Sequence, residues 1–110
     1  MQTKALHTVL EHLHVTFDFD NEETRKLLGM LHKTLIHSVP VLRSEETDSI
    51  YHTSHKLHSE LHMCGYESLS ELATEIELNA KKGIIERTVI DDFLAKSQAF
   101  SVAIENWLTS

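Results

Sequence analysis

The sequence predicts an all-α protein, an antiparallel up-down-up-down four-helix bundle with a short extra N-terminal helix. The 110 residues include only three glycines and one proline, so few residues would interrupt a helix. Apolar residues recur at three- and four-residue spacing along five segments, which is the period of an amphipathic helix. Short connections favour antiparallel neighbours. The length suits one domain, which we assign to residues 1–110.

The first two segments differ in length and in the signals at their ends. Apolar spacing indicates a short first helix over about residues 3–14. Asp20 and Glu23 form a capping-box pattern, which predicts the start of a longer second helix. Pro40 predicts that this helix ends or kinks near Ser38, because proline disfavours helical geometry in the residue before it.

Polar starts and glycine ends delimit the remaining segments. Residues 44–47, Ser-Glu-Glu-Thr, start a third helix that Gly65 closes. Ser68 and Glu71 offer a capping box for a fourth, and the Lys-Lys-Gly run at 81–83 supplies its basic, glycine-capped end. A long last helix carries an apolar stripe formed by Val89, Ile90, Phe93, Phe100, Ile104, Trp107 and Leu108.

The composition excludes several classes of function. A formal net charge of −7 disfavours nucleic acids and anionic membrane surfaces, which are bound through Lys and Arg. No window approaches the 18 apolar residues of a membrane span, and the first residues lack the pattern of a secretory signal. A lone cysteine, Cys64, fits a reducing compartment. We therefore expect a cytoplasmic protein whose partners are proteins or small ligands.

The histidines of the third segment are the most informative feature of the chain. At about 100° per residue, the apolar side chains of this helix fall opposite His55. His55 lies at the centre of a polar face, which the helical geometry predicts to be exposed. Within about 60° of it lie Asp48, Tyr51, His52, His58, Ser59 and His62.

Three interpretations of this face stay open on the residues alone. It is a solvated polar stripe, the default for a helix surface. Alternatively, His52, His55, His58 and His62, spaced three, three and four apart, chelate zinc or copper through neutral imidazoles. In the third interpretation one exposed histidine is a nucleophile that carries a phosphoryl group, since imidazole offers a lone pair near neutral pH.

The chain resembles the histidine-containing phosphotransfer (HPt) domains of bacterial multistep phosphorelays. Their motif has a leucine two residues after the histidine and a glycine ten residues after it, matched by His55, Leu57 and Gly65. Residues 69–77 are similar to the next helix of the family, and residues 81–83 to its basic-glycine end. The resemblance spans about residues 22–108 and implies the same helical bundle.

The resemblance implies a set of site residues, with His55 as the phosphoryl acceptor. His58 and Ser59 stand where the family has lysine and glycine, so His58 would contact phosphoryl oxygens only as an N–H donor. Lys56 offers a second cation from the next position. Glu77, 22 residues after His55, would accept its ring N–H and fix the tautomer, unless it is a solvated surface acid.

The resemblance also implies partners and a mode of action. Response-regulator receiver domains and a hybrid sensor kinase would dock on a surface that includes Tyr51, His52, Ser59 and His62. The receiver would supply magnesium, and the chain would hold no cofactor or metal of its own. The expected protein is a monomeric phosphoryl carrier, which accepts a phosphoryl group from a receiver aspartate and passes it to another receiver, rather than an autonomous enzyme.

Two alternatives to an active carrier remain at this level. The departures at His58 and Ser59 are compatible with an HPt-like module that has lost phosphotransfer and only binds receiver domains. The histidine-rich third helix is compatible with a metal-binding helical bundle. Each alternative depends on where the helix places its imidazoles and which groups face them.

Overall fold

The computed structural model describes the backbone of residues 2–110 and the side chains from residue 4 onward. Regular structure in this part of the chain is entirely α-helical, which confirms the predicted all-α class with its short N-terminal helix. Among the residues described, no helix is both long and apolar enough to span a membrane. The helices are α1 (Gln2–Thr16), α2 (Asn21–Leu42), α3 (Thr47–Met63), α4 (Glu67–Lys81) and α5 (Arg87–Leu108).

Four of the helices surround a common core. Helix α2 contacts α3 and α5, and α4 contacts the same two helices, while α1 packs outside against α5 and α2. The contact between α3 and α4 is the most extensive. Burial of a large apolar side chain contributes about 1.5–3 kcal/mol, so the core holds these helices firmly. Its largest fully buried side chains include Leu57, Leu61, Leu69, Ile90, Phe93 and Phe100.

The predicted capping box at the start of α2 is confirmed. The backbone N–H of Glu23 donates to Asp20 Oδ1 over 2.8 Å, and the N–H of Asp20 donates to Glu23 Oε1 over 3.0 Å. Two backbone donors that the helix leaves without an internal partner are satisfied in this way. The start of α2 is thus fixed by its own local sequence.

The predicted end of α2 near Ser38 is wrong, because the helix continues through Pro40 to Leu42. Proline removes one backbone N–H from the helix, but distant contacts hold the following turn in place. Leu42 is fully buried in the core. The guanidinium of Arg87 donates to the carbonyls of Leu42 and Ser44 over 3.0 and 2.6 Å, so a side chain from α5 caps this helix end.

The predicted capping box of Ser68 and Glu71 is also wrong. Helix α4 begins at Glu67, directly after Tyr66, and no side chain caps its start. The Tyr66 ring packs edge-on against Phe100 of α5, with ring centroids 4.8 Å apart. This aromatic contact fixes the chain immediately before the helix. Ser68 therefore lies inside the helix and does not cap it.

Candidate functional site

His55 lies on the exposed side of α3, as the apolar spacing predicts. Its side chain is 58% exposed. Leu57 and Leu61, on the opposite side of the helix, are fully buried, and Cys64 just after the helix is buried with them. A helix held by its apolar side in this way presents the imidazole of His55 on a rigid support.

Glu77 of α4 reaches across to the imidazoles of α3. Its Oε2 lies 2.8 Å from Nδ1 of His55, and its Oε1 lies 2.5 Å from Nδ1 of His58. The Glu77 side chain is only 11% exposed, so the interpretation of this residue as a solvated surface acid is wrong. The expected contact between Glu77 and the ring of His55 is present in the structure.

This arrangement determines which nitrogen of His55 is available for chemistry. An ionised carboxylate has no proton to donate, so each Nδ1 that contacts Glu77 must carry the hydrogen. In the neutral imidazole the other nitrogen, Nε2, then holds the lone pair. Among the described residues none hydrogen-bonds Nε2 of His55. The imidazole of His55 therefore offers one oriented nucleophilic nitrogen on a side chain that is 58% exposed.

Two rings from the same helix flank His55. The Tyr51 ring lies nearly parallel to the imidazole, with centroids 6.3 Å apart, and the His58 ring meets it edge-on at 5.3 Å. His52 in turn packs edge-on against Tyr51 at 5.2 Å. These neighbours restrict the rotation of His55 and form an aromatic surface around it.

Comparison with known protein families assigns most of the chain to one family. The family model for the Hpt domain matches residues 21–108 of the 110 residues. The chain belongs to the HPt family. HPt domains carry out histidine phosphotransfer in phosphorelays and interact with the receiver domains of response regulators. No curated protein and no solved structure matches the chain.

In this HPt domain α4 is anchored to α3 by a residue that the apolar pattern did not single out. The hydroxyl of Ser70, which is buried, donates to the backbone carbonyl of His58 over 2.9 Å. Ser70 lies seven residues before Glu77, so the two polar groups share one side of α4. The position of Ser70 beside the apolar stripe, one heptad before Glu77, is a signal by which Ser70 could have been found.

Other predicted site residues lie away from the contact between His55 and Glu77. Lys56 is exposed and lines a groove between α2 and α3. His62, also exposed, contacts Glu67 of α4 through Nδ1 at 2.8 Å. Ser59 is exposed one turn after His55.

The glycine of the HPt motif has a structural role at the end of α3. Gly65 adopts a φ of +84°, and its N–H donates to the carbonyl of His62 over 3.0 Å in a Schellman turn. A Cβ at this position would lie 2.7 Å from Cγ of His12, a residue of α1. Nε2 of His12 donates a hydrogen bond to the backbone carbonyl of Met63 over 3.1 Å. No pattern in the sequence predicts this contact of His12.

The described side chains include one group that could hold a metal ion. Donor atoms of His55, His58 and Glu77 lie within 4.8 Å of one another. The predicted four-histidine set is not gathered in the described residues, because His62 turns to Glu67 instead. The carboxylate of Glu77 thus replaces the outer histidines as the third donor.

Proposed function

We propose that this HPt domain is a phosphorelay phosphotransfer protein that accepts a phosphoryl group on His55 from a receiver-domain aspartate and passes it to another receiver. The observation that supports this most strongly is the contact between the nearly buried Glu77 carboxylate and Nδ1 of His55. It leaves Nε2 as the exposed nucleophile. The chain acts as a phosphoryl carrier rather than as an autonomous enzyme.

In the accepting step the lone pair of His55 Nε2 attacks the phosphorus of the aspartyl phosphate in line. A nitrogen–phosphorus bond forms, and the phosphorus–oxygen bond to the aspartate breaks, so that the carboxylate leaves with its electron pair. The imidazole keeps its Nδ1 hydrogen and becomes positively charged. Glu77 stabilises that charge from 2.8 Å, because a carboxylate next to a cation in a partly buried site is favourable. Reversal of these steps transfers the group to the next receiver.

Three other residues of α3 have proposed supporting roles in the transfer. His58 shares the Glu77 carboxylate and its side chain is 30% exposed, so we propose that its Nε2 contacts phosphoryl oxygens when it carries hydrogen. Lys56, the next residue of α3, would supply a second cation by extending its flexible side chain from the groove between α2 and α3 towards the phosphoryl group. Ser59, one turn after His55, is small enough to let a partner approach the ring.

The proposed partners are receiver domains of response regulators and a hybrid sensor kinase. They dock over the exposed face of α3, where Tyr51, His52, Ser59 and His62 surround His55. Catalysis of phosphoryl transfer depends mainly on positioning and charge neutralisation. We propose that the receiver supplies the magnesium ion and that the chain contributes no cofactor.

The remaining expectations form part of the same proposal. The chain is a single domain over residues 1–110, and its helices run up-down-up-down in the bundle. It acts as a monomer in the cytoplasm, without nucleic-acid or membrane partners. The ring of contacts among α2, α3, α4 and α5 supports the bundle, in which consecutive helices are neighbours.

The test is transfer from phosphorylated receiver domains to the purified protein, followed as acid-labile, base-stable label. The wild type should take up label and His55→Ala should take up none. His37→Ala, which changes an exposed histidine on α2, is the matched control and should behave as wild type. Label on the His55→Ala variant would show that the assignment of this residue is wrong.

The phosphotransfer-inactive alternative is favoured by the two departures from the family motif at His58 and Ser59. A wild type that binds receivers but takes up no label would support that alternative against an active carrier. Introducing His58→Lys and Ser59→Gly together would then restore transfer if these positions are the cause.

A further inference from the structure

We propose that Nδ1 of His55, Nδ1 of His58 and the Glu77 carboxylate form a zinc site whose occupation blocks phosphoryl acceptance. Two imidazoles and one carboxylate are a donor set that zinc binds in proteins, with water completing the coordination. The three donors come from two packed helices, and all lie within 4.8 Å of one another. The competition with transfer rests on the proposed function, whereas zinc binding itself does not.

The geometry requires only a small adjustment. Zinc–nitrogen and zinc–oxygen bonds of about 2.0–2.2 Å place tetrahedral ligand atoms about 3.3–3.5 Å apart. The two Nδ1 atoms now lie 2.8 and 2.5 Å from the oxygens of Glu77. Opening each contact by less than about 1 Å therefore makes room for the ion between groups that already converge.

Charge also favours a divalent cation at this position. Two neutral imidazoles and the ionised Glu77 give the donor set a charge of −1, and the side chain of Glu77 is largely shielded from water. A buried charge without a full counter-charge is costly, and zinc replaces two polar hydrogens with a stronger positive partner. The bond from zinc to the Glu77 carboxylate is therefore stronger than the hydrogen bonds that it replaces.

Zinc binding changes the tautomer of His55. The ion takes the Nδ1 lone pair, so the hydrogen on Nδ1 must move through solvent to Nε2. No net proton is released when the ring starts neutral. With hydrogen on Nε2 that nitrogen has no lone pair, and it cannot attack phosphorus. The zinc-bound form and the phosphoryl-accepting form of His55 therefore exclude each other.

The first experiment is calorimetric titration of the whole protein with zinc chloride. We expect one zinc per chain, with affinity reduced about tenfold or more by His58→Ala and by Glu77→Gln, since even outer contacts of a metal site are worth that much. Circular dichroism checks that each variant is folded. His58→Gln is a second variant of similar shape that also removes the imidazole donor.

Two matched variants separate this site from the other histidines of the same helix. His52→Ala and His62→Ala should leave the zinc affinity within about twofold of wild type, because neither residue belongs to the three donors. A loss on these variants equal to that on His58→Ala would overturn the proposal in favour of general surface chelation. The absence of saturable one-to-one binding to the wild type would overturn it outright.

The second experiment compares phosphoryl acceptance with and without stoichiometric zinc, after free ion is removed so that the receiver is not exposed to it. Wild-type transfer should fall at least tenfold, whereas His58→Ala should lose a smaller fraction of its own zinc-free rate. Zinc that binds at the three donors without slowing transfer would overturn the competition. A wild type that accepts no label even without zinc would instead overturn the proposed function.

Discussion

Among the described residues, two of the three histidine–glutamate contacts between α3 and α4 have equal length and unequal consequence. Nδ1 of His55 lies 2.8 Å from Glu77, and Nδ1 of His62 lies 2.8 Å from Glu67. The difference is in the acids, since the side chain of Glu77 is 11% exposed and that of Glu67 is 58% exposed.

Burial of the acceptor decides what such a contact can do. An exposed ion pair is screened by water and contributes about 0–1 kcal/mol, so His62 and Glu67 are free to separate. Glu77 is held in the interface between two helices and contacts two imidazoles at once. It therefore maintains one tautomer of His55. The contact between His62 and Glu67 is therefore a surface pair, whereas the contact of equal length between His55 and Glu77 positions the ring of His55.

The largest expected effect comes from a substitution in the turn that ends α3, and it is a loss of stability rather than of phosphoryl transfer. Gly65→Ala places a Cβ against the ring of His12 and forces a side chain onto a positive φ. The left-handed conformation costs about 1–2 kcal/mol, and overpacking adds about 1–3 kcal/mol. Urea unfolding should show a loss of about 2–5 kcal/mol.

Gly83→Ala is the matched control for that prediction. Gly83 also has a positive φ, at the end of α4, but a Cβ there meets no atom within 4 Å. It should lose only the conformational part, about 1–2 kcal/mol. Equal losses in the two variants would show that the contact with His12 contributes nothing.

Glu77→Gln should have the next largest effect, and it should concern transfer. A hydrogen bond to a charged group is worth about 1.5–3 kcal/mol, and each 1.36 kcal/mol changes a rate about tenfold. We expect the rate of phosphoryl acceptance to fall about 10- to 100-fold. Glu67→Gln should change it less than about twofold. Similar rates for the two variants would refute the distinction between the buried and the exposed acid.

Cys64, just after α3, shows how burial acts on a titratable thiol. Burial, reinforced by the negative charge of Glu60, raises the pKa of this thiol from 9.0 to about 12. The folded state then holds a proton that the unfolded state releases above pH 9, so stability falls as the pH rises from there towards 12.

Relative to Cys64→Ala, the wild type should lose about 1 kcal/mol of unfolding free energy between pH 9 and pH 10. Chemical unfolding at the two pH values measures this difference. Comparison with the variant cancels the contributions of all other titrating groups, which both proteins share. A parallel decline in both proteins would show that the thiol titrates alike in the folded and unfolded states.

Much of the fold could be predicted because it depends on local patterns. Apolar periodicity identified five helices, and the capping box of Asp20 and Glu23 located one helix start. The predicted helix end near Ser38 and the predicted cap at Ser68 failed where distant residues decide the helix ends. Arg87 from α5 holds the turn after Pro40. Tyr66, which packs on Phe100, fixes the start of α4 before Ser68.

The site was predictable to a similar extent. The position of His55 follows from the period of one helix, and the family comparison supports the HPt assignment of residues 21–108 around it. The burial of Glu77 depends on how α4 packs on α3, which no single-helix pattern reveals. The contact between His12 and Gly65 joins residues far apart in sequence, so it too required the three-dimensional structure.

In the proposed function one nitrogen, Nε2 of His55, carries the phosphoryl group. Nuclear magnetic resonance of nitrogen-15 and phosphorus-31 on histidine-labelled protein, phosphorylated by a receiver domain, identifies that atom directly. We predict a single phosphohistidine, at Nε2 of His55, with Nδ1 still protonated against Glu77. A phosphoryl group on Nδ1 of His55, or on any other histidine, would contradict the account.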